Sequence, residues 1–145
     1  MRVKKATAYA LHIMMYMVRH RKELPATASG IAKAEGIPLR DVTKIFPQLI
    51  NGGFVKASKG KKKGYVFAKP PEEISMLDLF ETIEDGPLFD NCLMKHCKCD
   101  GTPENCLIYS KWHKATRKIN QLFAEITMVD AALHHPEHRF YSLPE

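Results

Sequence analysis

The feature that most constrains the fold is a change of hydrophobic period at residue 53. Before it, "IAKAEGIPLRDVTKIFPQLINGG" predicts two helices, from about Ala28 to Glu35 and from about Leu39 to Asn51. Between them, "EGIP" supplies a glycine that suits a helix C-terminus and a proline that suits the first turn of the next helix. Two helices joined by a short turn that contains glycine predict a helix-turn-helix.

After residue 53 the pattern becomes that of short strands. The segments "FVKAS" and "GYVFA" are joined by "KGKKK", which predicts a hairpin with a basic tip directly after the helix pair. Such a hairpin is a wing, and Lys59, Lys61, Lys62 and Lys63 would lie at its tip. A solvated lysine turn is the alternative, but the position after a helix-turn-helix favours contact with DNA.

Further helices are predicted on both sides of this unit. "ATAYALHIMMYMVRH" predicts an amphipathic helix from about Thr7 to Arg19. Within the second helix of the pair, Pro47 predicts a kink or a new helical turn. "SMLDLFETIEDG" predicts a helix that Ser75 caps and that ends at Gly86.

A long helix is predicted after the cysteine-rich loop. Its apolar residues alternate at spacings of four and three, which predicts a seam that pairs with a second protomer: Ile108, Trp112, Ala115, Ile119, Leu122 and Ile126. One face of a core helix is the alternative. Thr127 could cap a short final helix, and His134, His135 and His138 are expected to lie on a flexible surface segment.

Charge is divided sharply along the chain. The net charge is +6, but residues 1–69 hold 15 Lys and Arg against 3 Asp and Glu, whereas residues 70–145 hold 7 against 13. A net +12 front half favours a polyanion, and the lysine run in a turn favours nucleic acid over a membrane surface. The chain shows no membrane span and no secretory signal, so a cytoplasmic location is expected.

All four cysteines fall within fifteen residues: Cys92, Cys97, Cys99 and Cys106. In a reducing compartment such clusters are metal ligands or sensors rather than disulfides. No Cys-x-x-Cys pair is present, so the spacing leaves an iron–sulfur cluster, zinc and a thiol switch open. The chain has no phosphate-binding glycine loop, metalloprotease motif or nucleophile elbow, so enzymatic activity is not expected.

Five segments in order identify a resemblance: "MRVKKATAYAL", "IAKAEGIPLRDVTKIFPQLINGGFV", "KGKKKGY", "CLIYSKW" and "ITMVDAA". From Met1 to about Ala132 the chain resembles the bacterial IscR/NsrR-type family of iron–sulfur winged-helix transcription regulators. The resemblance implies a homodimer that binds palindromic double-stranded promoter DNA and takes no small-molecule substrate. It also implies a 2Fe-2S or 4Fe-4S cluster whose state sets DNA affinity.

The resemblance also implies ligands for the cluster. Cys92 and Cys106 match the first and last cysteine positions, and Cys97 or Cys99 would be the middle one. Tyr109 stands where some relatives place a ligand histidine, and Ala8 where others use an acidic residue, so the fourth ligand departs from both patterns. His12, one turn beyond Ala8, is a candidate, and an all-cysteine site is equally possible.

For DNA, the resemblance assigns base-facing positions to Arg40, Thr43 and Lys44. Lys59 stands where relatives carry a wing arginine, and the lysine-rich tip should contact phosphates more than bases. Arg2 completes the predicted DNA contacts.

The predicted architecture is mainly α with a small β-wing. Residues 1–70 would form a winged helix-turn-helix domain, 71–134 a cysteine-loop sensor with a dimerisation helix, and 135–145 a flexible tail. A zinc-stabilised interaction adaptor and a cluster-free thiol-switch regulator are the alternatives.

Overall fold

The chain folds into helices with one β-hairpin. A computed structural model describes residues 2–89, 92 and 104–134. In chain order they form α1 (Lys5–Arg19), α2 (Ala28–Glu35), α3 (Leu39–Asn51), β1 (Val55–Ala57), β2 (Tyr65–Phe67), α4 (Met76–Glu84), α5 (Leu107–Glu125) and α6 (Met128–His134). Single 3-10 turns, Arg21–Glu23 and Pro71–Glu73, precede α2 and α4. The predicted mainly helical fold with a small wing is confirmed.

Helix α1 lies at the centre of the hydrophobic core. It packs against α2, α3, α4 and α6, and its Ile13 and Met14 are fully buried. Burying a side chain of this size contributes roughly 1.5–3 kcal/mol. Because α1 packs against helices of both the front and the back half, its buried residues stabilise both halves of the chain. The same core includes buried residues from the front half and from α4 and α6: Phe46, Leu49, Leu79, Ile83 and Met128.

The helix-turn-helix forms where the sequence predicts it. The Thr27 side chain accepts the Gly30 N–H at 3.0 Å and so caps α2. Gly36 adopts φ 70°, the left-handed conformation that ends α2 before the turn. Helix α1 begins at Lys5, two residues before the predicted start, because a distant side chain described below stabilises its first turn.

Helix α3 contains Pro47 without being divided. It is one continuous helix from Leu39 to Asn51, so the new helical turn considered for Pro47 is not found. A proline removes one hydrogen bond to the carbonyl four residues earlier, here that of Thr43. Thr43 and Pro47 are both exposed, so solvent can satisfy that carbonyl without ending the helix.

Capping side chains start α4 and α6. The Ser75 hydroxyl accepts the Asp78 N–H at 3.0 Å, as predicted. Thr127 and Asp130 bond reciprocally, each side chain accepting the other's backbone N–H at 3.0–3.1 Å, so Thr127 caps α6.

The predicted end of α4 was wrong by one residue. The left-handed residue that follows the helix is Asp85, with φ 60°, rather than Gly86. A short polar side chain tolerates this conformation, so the glycine is not needed there.

The wing is an antiparallel pair in which Val55 faces Phe67 and Ala57 faces Tyr65. The sequence did not predict that Ala26 would extend it. The Tyr65 N–H donates to the Ala26 carbonyl at 2.8 Å, and the Ala26 N–H donates to the Tyr65 carbonyl at 3.1 Å. Ala26, two residues before the start of α2, therefore holds the wing against the helix-turn-helix.

The back half contains the predicted long helix, α5, which contacts α4. Among the described residues, no helix is long and apolar enough to span a membrane. The predicted tail, 135–145, which includes His135 and His138, lies outside the described residues. His134 ends α6 and is exposed.

Candidate DNA-binding surface and sensor site

Helix α3 exposes the three residues that the family resemblance assigned to base contacts. Val42, Ile45, Phe46 and Leu49 turn into the core, so Arg40, Thr43 and Lys44 are left on the opposite, exposed face. The Thr43 hydroxyl donates to the Leu39 carbonyl at 2.7 Å. That bond occupies the donor of the side chain, so apolar contact through the methyl group remains the natural use of Thr43.

The wing tip presents exposed positive charge beside α2. Lys59, Lys61, Lys62 and Lys63 are all exposed, and the Lys62 Nζ donates to the Glu23 carbonyl at 3.4 Å. A cavity of about 400 Å³ lies between the tip and the start of α2, and Lys62, Lys63 and Thr27 line it together with residues of α1 and the following turn. The tip therefore forms a continuous surface with the helix-turn-helix.

A glycine fixes the close approach between wing and α2. Gly64 has φ 139°, and a Cβ placed there would lie 2.6 Å from the Ala26 carbonyl oxygen. Both the conformation and the space therefore require glycine. Arg2, the remaining predicted DNA contact, is exposed ahead of α1.

Of the four cysteines, Cys92 and Cys106 are described, and both are partly exposed. Cys106 is the N-cap of α5, and its Sγ accepts the Tyr109 N–H at 3.4 Å. Cys97 and Cys99 lie outside the described residues. Within residues 2–89, 92 and 104–134, no three His, Cys, Asp or Glu side chains gather as a metal site. The predicted ligand set therefore remains a prediction.

His12 is buried and bonded to a carboxylate that the sequence analysis did not single out. Its Nδ1 lies 3.2 Å from Glu35 Oε2, and the two residues are only 6% and 8% exposed. A sequence signal for Glu35 existed, because it lies one turn after Ile31 and Ala32, on the apolar face of α2. A charged residue at that spacing predicts a buried partner.

Glu84, also missed from the sequence, joins the end of α4 to the start of α1. Its carboxylate accepts the Lys4 backbone N–H at 2.7 Å and the Thr7 hydroxyl, and its carbonyl accepts the Lys4 Nζ at 3.1 Å. Partial burial raises the pKa of Glu84, but the hydrogen bonds from Thr7 and Lys4 outweigh burial and hold that pKa below its ordinary value. Glu84 therefore acts as an anionic cap of α1.

The predicted seam on α5 lies at the edge of its buried face. Trp112, Ile119 and Ile126 are half-buried, and Trp112 contacts Phe89 edge-to-face at 6.3 Å. The other three seam residues are exposed and lie seven residues apart: Ile108, Ala115 and Leu122. Ile108 and Leu122 are 54% and 53% exposed, although residues of this type are usually buried. One heptad column of the seam thus faces away from the protomer.

Residues 3–133 match the Rrf2 family, described as iron-dependent transcriptional regulators. The chain belongs to the Rrf2 family. It is 23% identical over 139 residues to the transcriptional regulator NsrR of Shouchella clausii, and the match covers 96% of this chain and 93% of that one. The similarity to this NsrR thus extends along almost the whole length of both chains.

Two solved structures show the same fold. CymR, the global cysteine regulator of B. subtilis, superposes with a TM-score of 0.78 at 20% identity, covering 94% of this chain and 99% of that one. T. potens IscR superposes with a TM-score of 0.71 at 22% identity, covering 98% and 93%. Membership of the Rrf2 family makes this chain a transcriptional regulator.

Proposed function

We propose that the chain is a homodimeric regulator whose affinity for promoter DNA is set by an iron–sulfur cluster of the 2Fe-2S or 4Fe-4S type. The loop from Cys92 to Cys106 would hold the cluster, and the signal would be redox state, nitric oxide or iron status. Residues 1–70 would read DNA, and residues 71–134 would sense and dimerise. Similarity to NsrR and IscR supports the cluster.

The observation that carries the cluster proposal is the position of Cys106. It starts α5, and its sulfur accepts a backbone N–H of the first turn. Thiolates are the ligands of iron–sulfur clusters, and hydrogen bonds to the sulfurs tune such clusters. Cys106 also joins the cysteine loop directly to the helix that carries the exposed seam. When bound, the cluster would supply a redox-active centre at this junction.

The DNA contacts follow from the exposed basic surface. Arg40 or Lys44 would donate to guanine O6 and N7, and Thr43 would contact a thymine methyl. The four lysines of the wing tip, together with Arg2, would neutralise phosphates. A second protomer, paired through Ile108, Ala115 and Leu122, would place a second α3 on the other half of a palindromic site.

The test is the iron and acid-labile sulfide content of anaerobically purified protein, compared with that of Cys106→Ser. Serine is also a good N-cap, so this substitution keeps the start of α5 while it removes the sulfur ligand. We expect iron and sulfide in the wild type, little of either in the variant, and a several-fold change in promoter affinity when the cluster is removed. Equal iron and sulfide in the two proteins would contradict the proposal.

A cluster-free thiol-switch regulator is the second candidate. The fold shared with CymR, described as a global cysteine regulator, and the partial exposure of Cys92 and Cys106 favour it. In that case metal-free protein would lose or gain DNA affinity on treatment with peroxide, and Cys106→Ser would abolish the response. Colourless protein with stoichiometric zinc would instead support the zinc-stabilised adaptor.

A further inference from the structure

The hydrogen bond between His12 and Glu35 joins α1 to the end of α2. His12 lies on α1, the helix that packs against α4 and α6, whereas Glu35 is the last residue of α2. Gly36 follows immediately and turns the chain toward α3. A displacement of the His12 imidazole would therefore act on the turn that positions α3, the recognition helix that carries the predicted base contacts.

Burial distinguishes this pair from the other His–Glu pair of the described residues. The side chains of His12 and Glu35 are 8% and 10% exposed, against 41% and 74% for His20 and Glu23, whose Nδ1 and Oε2 are 2.9 Å apart. Taking a carboxylate and an imidazole out of water is costly, and an apolar pair would pack at least as well. A gain in stability is therefore a poor explanation of the His12–Glu35 pair.

The geometry has a chemical consequence for the imidazole. An ionised carboxylate only accepts hydrogen bonds, so the Nδ1 that faces an ionised Glu35 would carry the proton. A neutral imidazole protonated at Nδ1 has its lone pair at Nε2. Metal-binding histidines have this arrangement, in which the second ring nitrogen donates to a carboxylate that fixes the tautomer and the orientation of the ring.

We propose that Glu35 is a positioning residue that holds His12 as the Nδ1–H tautomer and links the ligand state of Nε2 to α2 and the recognition helix. This inference rests on the proposed function, in which His12 is a candidate cluster ligand. Through this link, loading or loss of the cluster would move the end of α2 relative to α1. The link needs no contact between cluster and DNA.

The first test uses metal-free protein, so it does not depend on the cluster. Nitrogen-15 NMR of labelled histidines reports which ring nitrogen carries the proton, and His12→Gln identifies the His12 signals. We expect a protonated Nδ1 in the wild type and in Glu35→Gln, whose amide oxygen can still accept the bond. In Glu35→Ala we expect the Nε2–H tautomer to gain population. A wild-type His12 protonated at Nε2 alone would overturn the proposal.

The second test is the ratio of promoter affinities of cluster-loaded and metal-free protein. We expect Glu35→Ala to bring this ratio several-fold closer to one, and Glu35→Gln to restore most of the wild-type ratio. Glu23→Gln is the matched control, because it weakens the exposed pair, and it should keep the wild-type ratio. Thermal unfolding of each variant separates a lost link from a lost fold.

The outcomes distinguish this inference from the proposed function. If the wild-type ratio is large and Glu35→Ala preserves it, the link is wrong while cluster sensing stands. If the wild-type protein carries no cluster or shows a ratio of one, cluster sensing fails and the link fails with it. In that case the NMR result still decides whether Glu35 positions His12.

Discussion

At the scale of single residues, the fold depends on a few residues that fix how distant segments meet. Gly64 lets the wing approach the Ala26 carbonyl. Glu84 caps α1 and contacts Thr7, which lies 77 residues earlier in the sequence. Neither residue belongs to the predicted functional set, yet Gly64 fixes where the wing lies and Glu84 fixes where α1 begins.

Substituting Gly64 should separate the wing from the helix-turn-helix. Gly64→Ala would introduce both an unfavourable φ and a contact of 2.6 Å with backbone, so we expect a loss of about 1–3 kcal/mol in the free energy of unfolding. Urea unfolding measures the loss. Gly60→Ala is the control, because its Cβ would meet only the Ser58 hydroxyl at 3.7 Å. Equal stabilities of the two variants would contradict this account of the wing.

Glu84 should give a pH-dependent contribution to stability. Its pKa is lowered in the folded protein, so the stabilisation is fully present above the unfolded pKa of about 4.3 and is lost as the pH falls through the folded pKa. Glu84→Gln should therefore be less stable than the wild type at neutral pH, and the difference should shrink on acidification below about pH 4.

Thermal unfolding of the two proteins across this pH range checks the prediction for Glu84. Glu73→Gln, an exposed carboxylate in the 3-10 turn before α4, serves as the control. Its difference from the wild type should stay small at every pH. A difference for Glu84→Gln that does not change with pH would show that the carboxylate charge is not what stabilises α1.

At the scale of elements, the wing combines a rigid attachment with a charged end. Three backbone-paired residues on each strand and the Ala26 bridge hold the hairpin, and stacking of Phe46 on Tyr65 at 3.8 Å joins it to α3. The tip beyond this attachment has four exposed lysines. A fixed base with long cationic side chains suits phosphate contact, since lysine acts as a point charge that needs little geometric precision.

Removing the tip charges should lower the salt dependence of DNA binding. In the triple variant Lys61→Ala, Lys62→Ala, Lys63→Ala, the slope of log affinity against log salt should fall by about 0.9 for every lysine that contacts a phosphate. Fluorescence anisotropy titrations with DNA at several salt concentrations measure this slope. Alanine at Lys111, Lys114 and Lys118 of α5 removes the same charge from the back half. If both triple variants change the slope equally, the wing has no special role.

At the scale of the whole molecule, α5 is the element whose exposed surface is hardest to reconcile with a monomer. The helix uses one side against α4, where Phe123 meets Phe80 at 5.9 Å. The column of Ile108, Ala115 and Leu122 faces away from that contact. Exposed apolar residues at a spacing of seven are the pattern of a helix that pairs with another copy of itself.

A charge in this column should separate the proposed dimer. Leu122→Glu would bury a carboxylate between two helices, so we expect sedimentation to shift from dimer to monomer and the affinity for a palindromic site to fall at least tenfold. Ala124→Glu introduces the same charge at an exposed position about 200° further around the helix, so it should remain dimeric. Monomers in the wild type, or identical behaviour of the two variants, would contradict the dimer.

The sequence by itself determined the elements of this protein. The bounds of α2 and α3, the hairpin with its lysine tip, and the caps Ser75 and Thr127 were all predictable, because periodicity and capping act between residues a few positions apart. The resemblance to IscR/NsrR-type regulators was carried by the same local segments. The end of α4 was missed because two adjacent residues, Asp85 and Gly86, could both follow the helix, and local rules favoured the glycine.

The tertiary structure decided which polar side chains are buried and what they join. Glu35 meets His12, Glu84 meets Thr7, and Ala26 meets Tyr65 across 23, 77 and 39 residues of chain. It also decided that half of the α5 seam is partly buried while the other half stays exposed. Such pairings depend on how helices cross, and the energy of a buried polar contact is realised only after the core has brought its partners together. No local pattern carries that information.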